Sequence, residues 1–161
     1  GRVFRLIREE LEQEGRQVVR ETIQHPGAVV IVPLIRRAHI VFVRQYRHAI
    51  GGELLELPAG TLNAGEGRVA CVRRELAEET GWWPRRVCRI AQFYAAPGYS
   101  SELLTLFLAR DLRRVQARPD PDECVRPVVL TRRSALAKIR SGQIRDAKSI
   151  LGVLLAQRFL T

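Results

Sequence analysis

The 161-residue chain has no uninterrupted apolar run that approaches the ~18 residues of a membrane span. Its longest apolar stretch, around residues 28–35, has the length of a buried strand instead. No positively charged segment followed by an apolar one opens the chain, so we expect no export signal. Cysteine is also scarce: Cys71, Cys88 and Cys124 are far apart and show no CxxC spacing. This pattern favours a reducing, cytoplasmic setting, and we expect no membrane partner.

Acidic residues are the minority among the charges. There are 17 Asp and Glu residues against 27 Lys and Arg residues, for a formal net charge of +10. Only Lys138 and Lys148 are lysine, so the excess charge comes from arginine, whose guanidinium suits bidentate binding of phosphate. The arginines are scattered, and only 6% of the residues are aromatic, so few rings lie among them to stack on bases. We therefore expect no nucleic acid partner.

Linkers, internal repeats and low-complexity tracts are absent as well, so residues 1–161 are predicted to form a single mixed α/β domain. Strands are predicted in two stretches of residues 3–23 around a turn at Glu14 and Gly15, and at about 28–32, 40–43, 53–57, 87–94, 103–109 and 125–130. Helices are predicted at about 67–80, at 131–139 with Thr131 as N-cap, and at 146–160 with Asp146 as N-cap. Residues 118–122 are predicted to form a loop.

The helix predicted at residues 67–80 has the clearest pattern. Val69, Val72 and Leu76 repeat at helical spacing and form a narrow apolar stripe. Gly81 stands where a helix C-cap is expected. The stripe therefore predicts which side of the helix faces the core.

Residues 60–82 place four carboxylates, those of Glu66, Glu75, Glu78 and Glu79, in this basic chain. On a helix, the last three fall on one arc. Like charges three or four residues apart repel, so the arc is not built for helix stability. A divalent cation such as Mg²⁺ would remove the repulsion, because it binds carboxylate oxygens and substrate phosphate together. The segment therefore predicts a metal site for phosphate chemistry, with an ordinary charged, solvated helix as the alternative.

The spacing within this segment resembles the Nudix box, and the chain closely resembles a Nudix hydrolase. All nine positions of the box are matched at fixed spacing, with a Trp where the family usually has an aliphatic residue. These positions are Gly60, Glu66, Arg74, Glu75, Leu76, Glu78, Glu79, Gly81 and Trp82.

The resemblance implies a Nudix fold of the α+β type, in which a mixed sheet is sandwiched between helices and an antiparallel strand region precedes it. It also implies Mg²⁺, for which Mn²⁺ can substitute, and hydrolysis of a nucleoside diphosphate linked to another group. Metal ions can neutralise a diphosphate, stabilise the leaving phosphate and make a bound water more acidic.

Metal ligands are expected along the box. Glu75 and Glu79, one helical turn apart, are the expected side-chain ligands, and Glu78 is a further ligand or a base. The backbone carbonyl of Ala59 can add a neutral ligand. Gly60 lets the chain turn closely at the approach to the helix.

Two further box residues support these ligands. Arg74 lies four residues before Glu78 and can orient it, so Arg74 is counted with the catalytic residues Glu78 and Glu79. Glu66 supports the start of the helix, either by bonding backbone amides or by steadying Arg74.

Segments outside the box resemble the ADP-ribose pyrophosphatase branch of the family. They are residues 25–29, 43–47, 56–60 and 96–102, and with the box they extend the resemblance over residues 21–160. The branch splits ADP-ribose into AMP and ribose 5-phosphate. A broader nucleotide-sugar, dinucleoside-polyphosphate or nucleoside-triphosphate pyrophosphohydrolase is the first alternative. A catalytically silent nucleotide- or RNA-binding module is the second, and the intact glutamate set argues against it.

The branch also implies substrate contacts. Arg47 is expected to bind a substrate phosphate, with a surface strand arginine as the alternative. Glu56 matches the motif of the branch, as a substrate-site or a structural residue. Pro97 occupies the branch's substrate signature, and Gly98 and Glu102 belong to a loop expected to contact the sugar or second phosphate.

The general base and the partner subunit are further expectations from the branch. A late-loop glutamate often serves as base, and the pair Asp122 and Glu123 matches it, with Glu123 preferred. The branch forms homodimers in which N-terminal strands help to bind the other subunit's adenine, so residues 1–24 are expected to contribute to a dimer. Phe4, Tyr46 and Tyr99 are aromatic candidates for stacking on the base.

Overall fold

The computed structural model describes residues 3–36, 39–117 and 124–159. Its strands are β1 (Arg5–Gln13), β2 (Arg16–Gln24), β3 (Ala28–Ile35), β4 (His39–Arg47), β5 (Gly52–Glu56), β6 (Ala59–Thr61), β7 (Trp82–Tyr94), β8 (Leu103–Arg114) and β9 (Val125–Thr131). Its helices are α1 (Arg68–Thr80), α2 (Arg132–Arg140) and α3 (Ala147–Ala156), with 3₁₀ turns at His48–Ile50 and Gln157–Phe159. The predicted loop at 118–122 lies outside the described residues. No helix in the described part of the chain is long and apolar enough to cross a membrane.

Seven strands form one mixed sheet around β3. The order is β5-β4-β3-β8-β7, with β6 also paired to β3 and β9 paired to β4. β3 and β8 are parallel, whereas β3 is antiparallel to β4 and β6. Every residue of β3 from Ala28 to Leu34 is buried, because helices cover both faces of the sheet at this strand. The longest apolar run of the sequence is therefore its central strand.

The alternation of β3 divides the core into two layers. Val30 and Val32 belong to a cluster that includes Val153 of α3. Val29 and Ile31 belong to a second cluster, built with α1. Because successive strand residues point to opposite faces, α1 and α3 lie on opposite sides of β3. The expected sandwich of a mixed sheet between helices is confirmed.

β1 and β2 form a separate antiparallel hairpin, as the sequence predicted. Its turn residues Glu14 and Gly15 both have positive φ, 52° and 75°. This is the pattern of the tight turns that match strand twist. The hairpin is largely exposed, and its end is tied to a later loop: the Ile23 amide donates to the Tyr99 carbonyl at 2.7 Å, and the Ser101 amide donates to the Ile23 carbonyl at 3.0 Å.

Two element boundaries differ from the prediction. β7 begins at Trp82, not near residue 87, because it pairs with the extension of β8 to Arg114. Pro84 is tolerated within β7 because this strand lies at the edge of the sheet. The third helix ends at Ala156 and continues as a 3₁₀ turn, so the prediction of a helix to residue 160 was too long.

Helix α1 is confirmed, but its apolar stripe is displaced from the predicted one. Val72 and Leu76 are fully buried, whereas Val69 is 41% exposed, so its predicted place in the stripe was wrong. Cys71 is buried instead. Val69 lies one residue after the start of α1 at Arg68, so only the later part of the predicted stripe is buried. Gly81 is the C-cap, with φ 69° and its amide donating to the Ala77 carbonyl.

We expect Gly81→Ala to lower the free energy of unfolding by about 1 kcal/mol, because a β-carbon is strained in the left-handed region. The added carbon would also lie 3.2 Å from the Val115 carbonyl oxygen. Urea denaturation of both variants measures the effect. Gly98→Ala is the matched control, since its added carbon meets open space. Equal losses in the two variants would show that the C-cap conformation is not the cause.

Candidate active site

The side chain of Arg74 joins three carboxylates of the acidic segment. Its Nε and Nη2 donate to the two carboxylate oxygens of Glu66, at 2.8 and 2.9 Å. Its Nη1 donates to Glu75 at 2.6 Å and to Glu78 at 3.1 Å. Glu66 also accepts from the backbone amide of Asn63 at 3.1 Å, so both contacts considered for Glu66 are present. The carboxylates therefore converge on one cation at the wall of an open cleft.

The ion pairs of this cluster change proton affinities. The Arg74 guanidinium lowers the pKa of Glu66 to about 2. The bond to Glu66 in turn raises the pKa of Arg74 above its usual range. Burial, with the neighbouring charges of Glu66 and Glu75, raises the pKa of the Cys71 thiol to about 12. Cys71 therefore stays protonated at neutral pH and is no nucleophile.

Gly60 provides the space that Glu75 occupies. A β-carbon built on Gly60 would lie 1.8 Å from Cδ of Glu75, so no other residue fits there with this arrangement. Gly60 lies in β6, which pairs with the central strand β3. The box glycine thus brings the backbone of the sheet against the glutamate of α1.

The chemistry of this site fits a hard divalent cation. Carboxylate and carbonyl oxygens are the ligands that Mg²⁺ takes. Within the described ranges, no three His, Cys, Asp or Glu side chains are already grouped around a common metal position. The guanidinium of Arg74 lies among the carboxylates and supplies positive charge there. The space left by the missing β-carbon of Gly60 keeps Glu75 beside the backbone of β6. A backbone carbonyl and a carboxylate can therefore act together there.

The box forms part of the lining of a cleft of about 1770 Å³. This volume exceeds the ~300–1,000 Å³ of usual ligand pockets, so a nucleotide derivative can enter. Several residues singled out in the sequence line it: Arg47, Ala59, Gly60, Glu66, Arg74, Glu75, Glu78 and Glu102. Other lining residues were not predicted for the site, among them Arg5, His25, Asp146 and Lys148. Glu56 and Glu79 are almost fully buried.

Glu56 belongs to a second charged cluster beside the cleft. Arg47 donates to both of its carboxylate oxygens, from Nε at 2.9 Å and from Nη2 at 2.7 Å. Lys148 donates to Glu56 at 2.7 Å and lies 3.0 Å from Asp146. Burial alone would raise the pKa of Glu56, but the bonds from Arg47 and Lys148 hold it below its ordinary value.

The contact of Lys148 with Glu56 was not predicted, because the two residues are 92 positions apart. One signal was available: Lys148 is one of only two lysines in an arginine-rich chain. Lys148 also follows Asp146, which was predicted only as a helix cap. Asp146 does cap α3, by accepting from the Ser149 amide at 3.0 Å.

The loop at 96–102 is divided between two cavities. Glu102 lines the main cleft, and its carboxylate lies 3.9 Å from Nε2 of His25. Nδ1 of His25 accepts from the Gly27 amide at 3.0 Å, which fixes the ring. Pro97 and Gly98 line a separate cavity of about 320 Å³ with Tyr99. The structure therefore brings Glu102, but not Pro97 and Gly98, to the cleft that the carboxylates line.

Other residues expected in the site are not placed with it. Glu123 and its neighbour Asp122 lie outside the described residues, so the base stays a prediction. Phe4, Tyr46 and Tyr99 are all exposed, and none of them belongs to the core. Their stacking on a nucleobase also stays a prediction.

A comparison with protein families identifies the fold and the box together. The NUDIX domain model matches residues 24–151. The chain belongs to this family. It is a Nudix hydrolase, and enzymes of this family generally use divalent metal ions.

Individual proteins resemble the chain over nearly its whole length. An ADP-ribose pyrophosphatase of Bacillus subtilis (strain 168) is 33% identical over 160 residues, which cover 98% of this chain and 86% of the relative. A methanol dehydrogenase activator of Bacillus methanolicus is 34% identical over 160 residues, with the same coverage of 98% and 86%. A crystal structure of an ADP compounds hydrolase superposes with a TM-score of 0.87 over 99% of this chain and 88% of that one, at 23% identity. This last likeness shows the Nudix fold.

We expect the stability difference between wild type and Glu66→Gln to depend on pH. The pKa of Glu66 is about 2 in the folded protein against an ordinary 4.5, so its ion pair stabilises the fold above about pH 4.5. That contribution is lost as pH falls from about 4.5 towards 2. Chemical denaturation across this range, without added divalent metal, should show the two proteins converging at low pH. A gap that widens at low pH would contradict the assigned ion pair.

We expect Gly60→Ala to lower metal-dependent turnover by at least ~10²-fold, because even a displacement of about 1 Å at a reacting site has this effect. The added carbon displaces Glu75 or the β6 backbone. Steady-state rates with the best available substrate measure the loss. Gly67→Ala is the matched control, because it lies next to the same helix and has no atom within 4 Å of the added carbon. Turnover of Gly60→Ala equal to that of Gly67→Ala would show that the space at Gly60 is dispensable.

Proposed function

We propose that this Nudix hydrolase splits ADP-ribose into AMP and ribose 5-phosphate with Mg²⁺, for which Mn²⁺ can substitute. The observation that carries the proposal is the convergence of Glu66, Glu75 and Glu78 on Arg74 at the wall of a nucleotide-sized cleft. The reaction class is hydrolysis of a nucleoside diphosphate linked to another group. ADP-ribose is preferred because a relative 33% identical over 98% of the chain is an ADP-ribose pyrophosphatase.

The metal would be held by the carboxylates of Glu75, Glu78 and Glu79 and by the backbone carbonyl of Ala59. When bound, it supplies positive charge against the diphosphate and increases the acidity of water. The carboxylates that it engages would exchange their contact with Arg74 for the ion. Before the metal binds, Arg74 would orient Glu78 through their contact, and it keeps its two bonds to Glu66 in that exchange and so stays beside the site.

The protein's own residues bind and orient the substrate. Arg47 is on the cleft wall with its side chain 41% exposed, and its guanidinium suits a bidentate grip on a phosphate. Glu102, which lies beside the ring of His25, would accept from a ribose hydroxyl. Pro97 and Gly98 would act through the shape of the loop that carries Glu102.

Water must lose a proton as it attacks phosphorus and the P–O bond to the leaving phosphate breaks. Glu78 and Glu79 of α1 and Glu123 of the late loop are the candidates to accept it, with Glu123 preferred if its loop closes over substrate. Glu56 accepts two hydrogen bonds from Arg47, so it would affect substrate binding by positioning that arginine.

The proposal extends to the whole chain and its surroundings. We propose one Nudix domain for residues 1–161, acting as a homodimer in the cytoplasm. The exposed hairpin of β1 and β2 supports the dimer, because its apolar side chains Leu6, Leu11 and Val19 are uncovered. Cys71, Cys88 and Cys124 form no disulfides, which is consistent with a reducing compartment.

A substrate panel with Mg²⁺ tests this function. It contains ADP-ribose, NADH, sugar nucleotides, dinucleoside polyphosphates and deoxynucleoside triphosphates. We expect the highest kcat/KM for ADP-ribose. Preference for a sugar nucleotide would favour the broader pyrophosphohydrolase, and no turnover of any compound would favour a nucleotide- or RNA-binding module.

We expect Glu79→Gln to lose at least ~10³-fold in kcat, because the site works by stabilising charge. Asp111→Asn is the matched control, since Asp111 is exposed and its partner is Arg86, which is also exposed. Circular dichroism of both variants verifies folding. Equal rates for wild type and Glu79→Gln would remove Glu79 from the proposed metal ligands.

A further inference from the structure

Two cations share one buried carboxylate beside the cleft. Glu56 has a side chain only 1% exposed, and Arg47 and Lys148 both donate to it. Burying a carboxylate is strongly unfavourable unless a cation stays with it. Either cation can pair with Glu56, so this carboxylate has two cationic partners, although Lys148 also pairs with Asp146.

The two cations differ in how firmly they are held. Arg47 is 41% exposed, and it donates to Glu56 from Nε and Nη2, with a smaller attraction from the charges of Glu79 and Asp146. Lys148 is only 16% exposed and lies between two carboxylates, those of Glu56 and Asp146. Arg47 is therefore the cation that can leave the cluster, and Lys148 is the cation that stays.

The start of α3 is fixed to the strand end that carries Glu56. The backbone amide of Leu57 donates to Oγ of Ser149 at 2.7 Å, and both residues are fully buried. Ser149 in turn bonds Asp146, the N-cap of α3. These contacts hold Lys148 in register with Glu56 whatever Arg47 does.

A substrate diphosphate in the cleft competes with Glu56 for Arg47. Without Lys148, the transfer of Arg47 to a phosphate would leave Glu56 buried and uncompensated, and Arg47 would stay where it is. With Lys148 in place, the carboxylate remains paired after the arginine moves. The source of the competition is the negative charge of the nucleoside diphosphate, whatever group is attached to it.

We propose that Lys148 is a positioning residue: it keeps buried Glu56 paired so that Arg47 can turn from Glu56 to the substrate diphosphate. This inference rests on the proposed phosphate contact of Arg47. The proposal gives the start of α3 a function in substrate binding, although Lys148 is 92 residues from Glu56 in the sequence.

The first test is the affinity for ADP, measured by calorimetry with Mg²⁺, together with KM and kcat for ADP-ribose. Lys148→Met should weaken ADP binding and raise KM by at least ~10-fold, with kcat changed much less. The reason is that Arg47 would then be the only cation paired with buried Glu56 and could not turn to the phosphate. Lys148→Arg should restore both values. Lys138→Met is the matched control, because Lys138 lies on α2 and donates to Gln143, outside this cluster.

The decisive variant adds Glu56→Gln to Lys148→Met. Once the buried charge is gone, the ion pair between Arg47 and Glu56 is gone with it, so ADP affinity should return to near the wild-type value. A purely structural lysine, or one that contacts phosphate directly, would not be rescued in this way, and failure of the rescue would overturn the proposal. Unchanged ADP affinity in Lys148→Met would overturn it as well.

Two other results, misfolding of Lys148→Met and a lack of ADP-ribose hydrolysis, can be distinguished from failure of the proposal. If Lys148→Met does not fold, Glu56→Gln alone is used, and it should bind ADP at least as tightly as wild type; weaker binding would overturn the proposal. If ADP-ribose is not hydrolysed, the proposed function fails, whereas the ADP affinities of the same variants still decide the role of Lys148.

Discussion

The guanidinium of Arg74 contacts Glu66, Glu75 and Glu78, and these ion pairs let the first helix present its carboxylates to a shared cleft. Like charges this close repel unless a cation lies among them. The arrangement also depends on packing, because Glu75 occupies space that only a glycine at position 60 leaves open. Electrostatics and packing therefore meet at the point where α1 approaches the central sheet, and the site is built on rigid elements rather than on a loop alone.

A second charged cluster repeats this construction elsewhere in the lining of the cleft. There the carboxylate is Glu56, and the cations are Arg47 and Lys148. The two clusters differ in balance: carboxylates outnumber the cation in the box, whereas the second cluster pairs two cations with two carboxylates, those of Glu56 and Asp146. Carboxylate oxygens are the ligands that a hard divalent ion takes, and guanidinium and ammonium groups are suited to phosphate oxygens. A metal-bound nucleoside diphosphate carries both a divalent ion and phosphate oxygens, and both clusters contribute to the lining of one cleft of about 1770 Å³.

Features that depend on residues close together in the sequence were predicted, whereas features that depend on distant residues were not. Helix α1, its Gly81 cap, the turn of the first hairpin and the Thr131 cap all depend on residues within a few positions of one another, and all were predicted. The exposure of Val69 and the early start of β7 were not predicted, because both depend on contacts with distant parts of the chain. Lys148 was missed for the same reason, since its partner Glu56 lies on a distant strand.

The amino-acid sequence by itself determined the reaction chemistry of this protein, because the box is one short segment whose spacing places carboxylates on one helical arc. It also determined the central strand, as an apolar run that only a doubly covered position can bury. Tertiary structure alone decided which charges share a cleft. Arg47, Glu56 and Lys148 come from two strands and a helix: the pairing of β4 with β5 brings Arg47 to Glu56, and long-range packing of α3 on the sheet adds Lys148. Such contacts have no local signature, since the spacing between their partners follows from the fold and not from any helical or strand period.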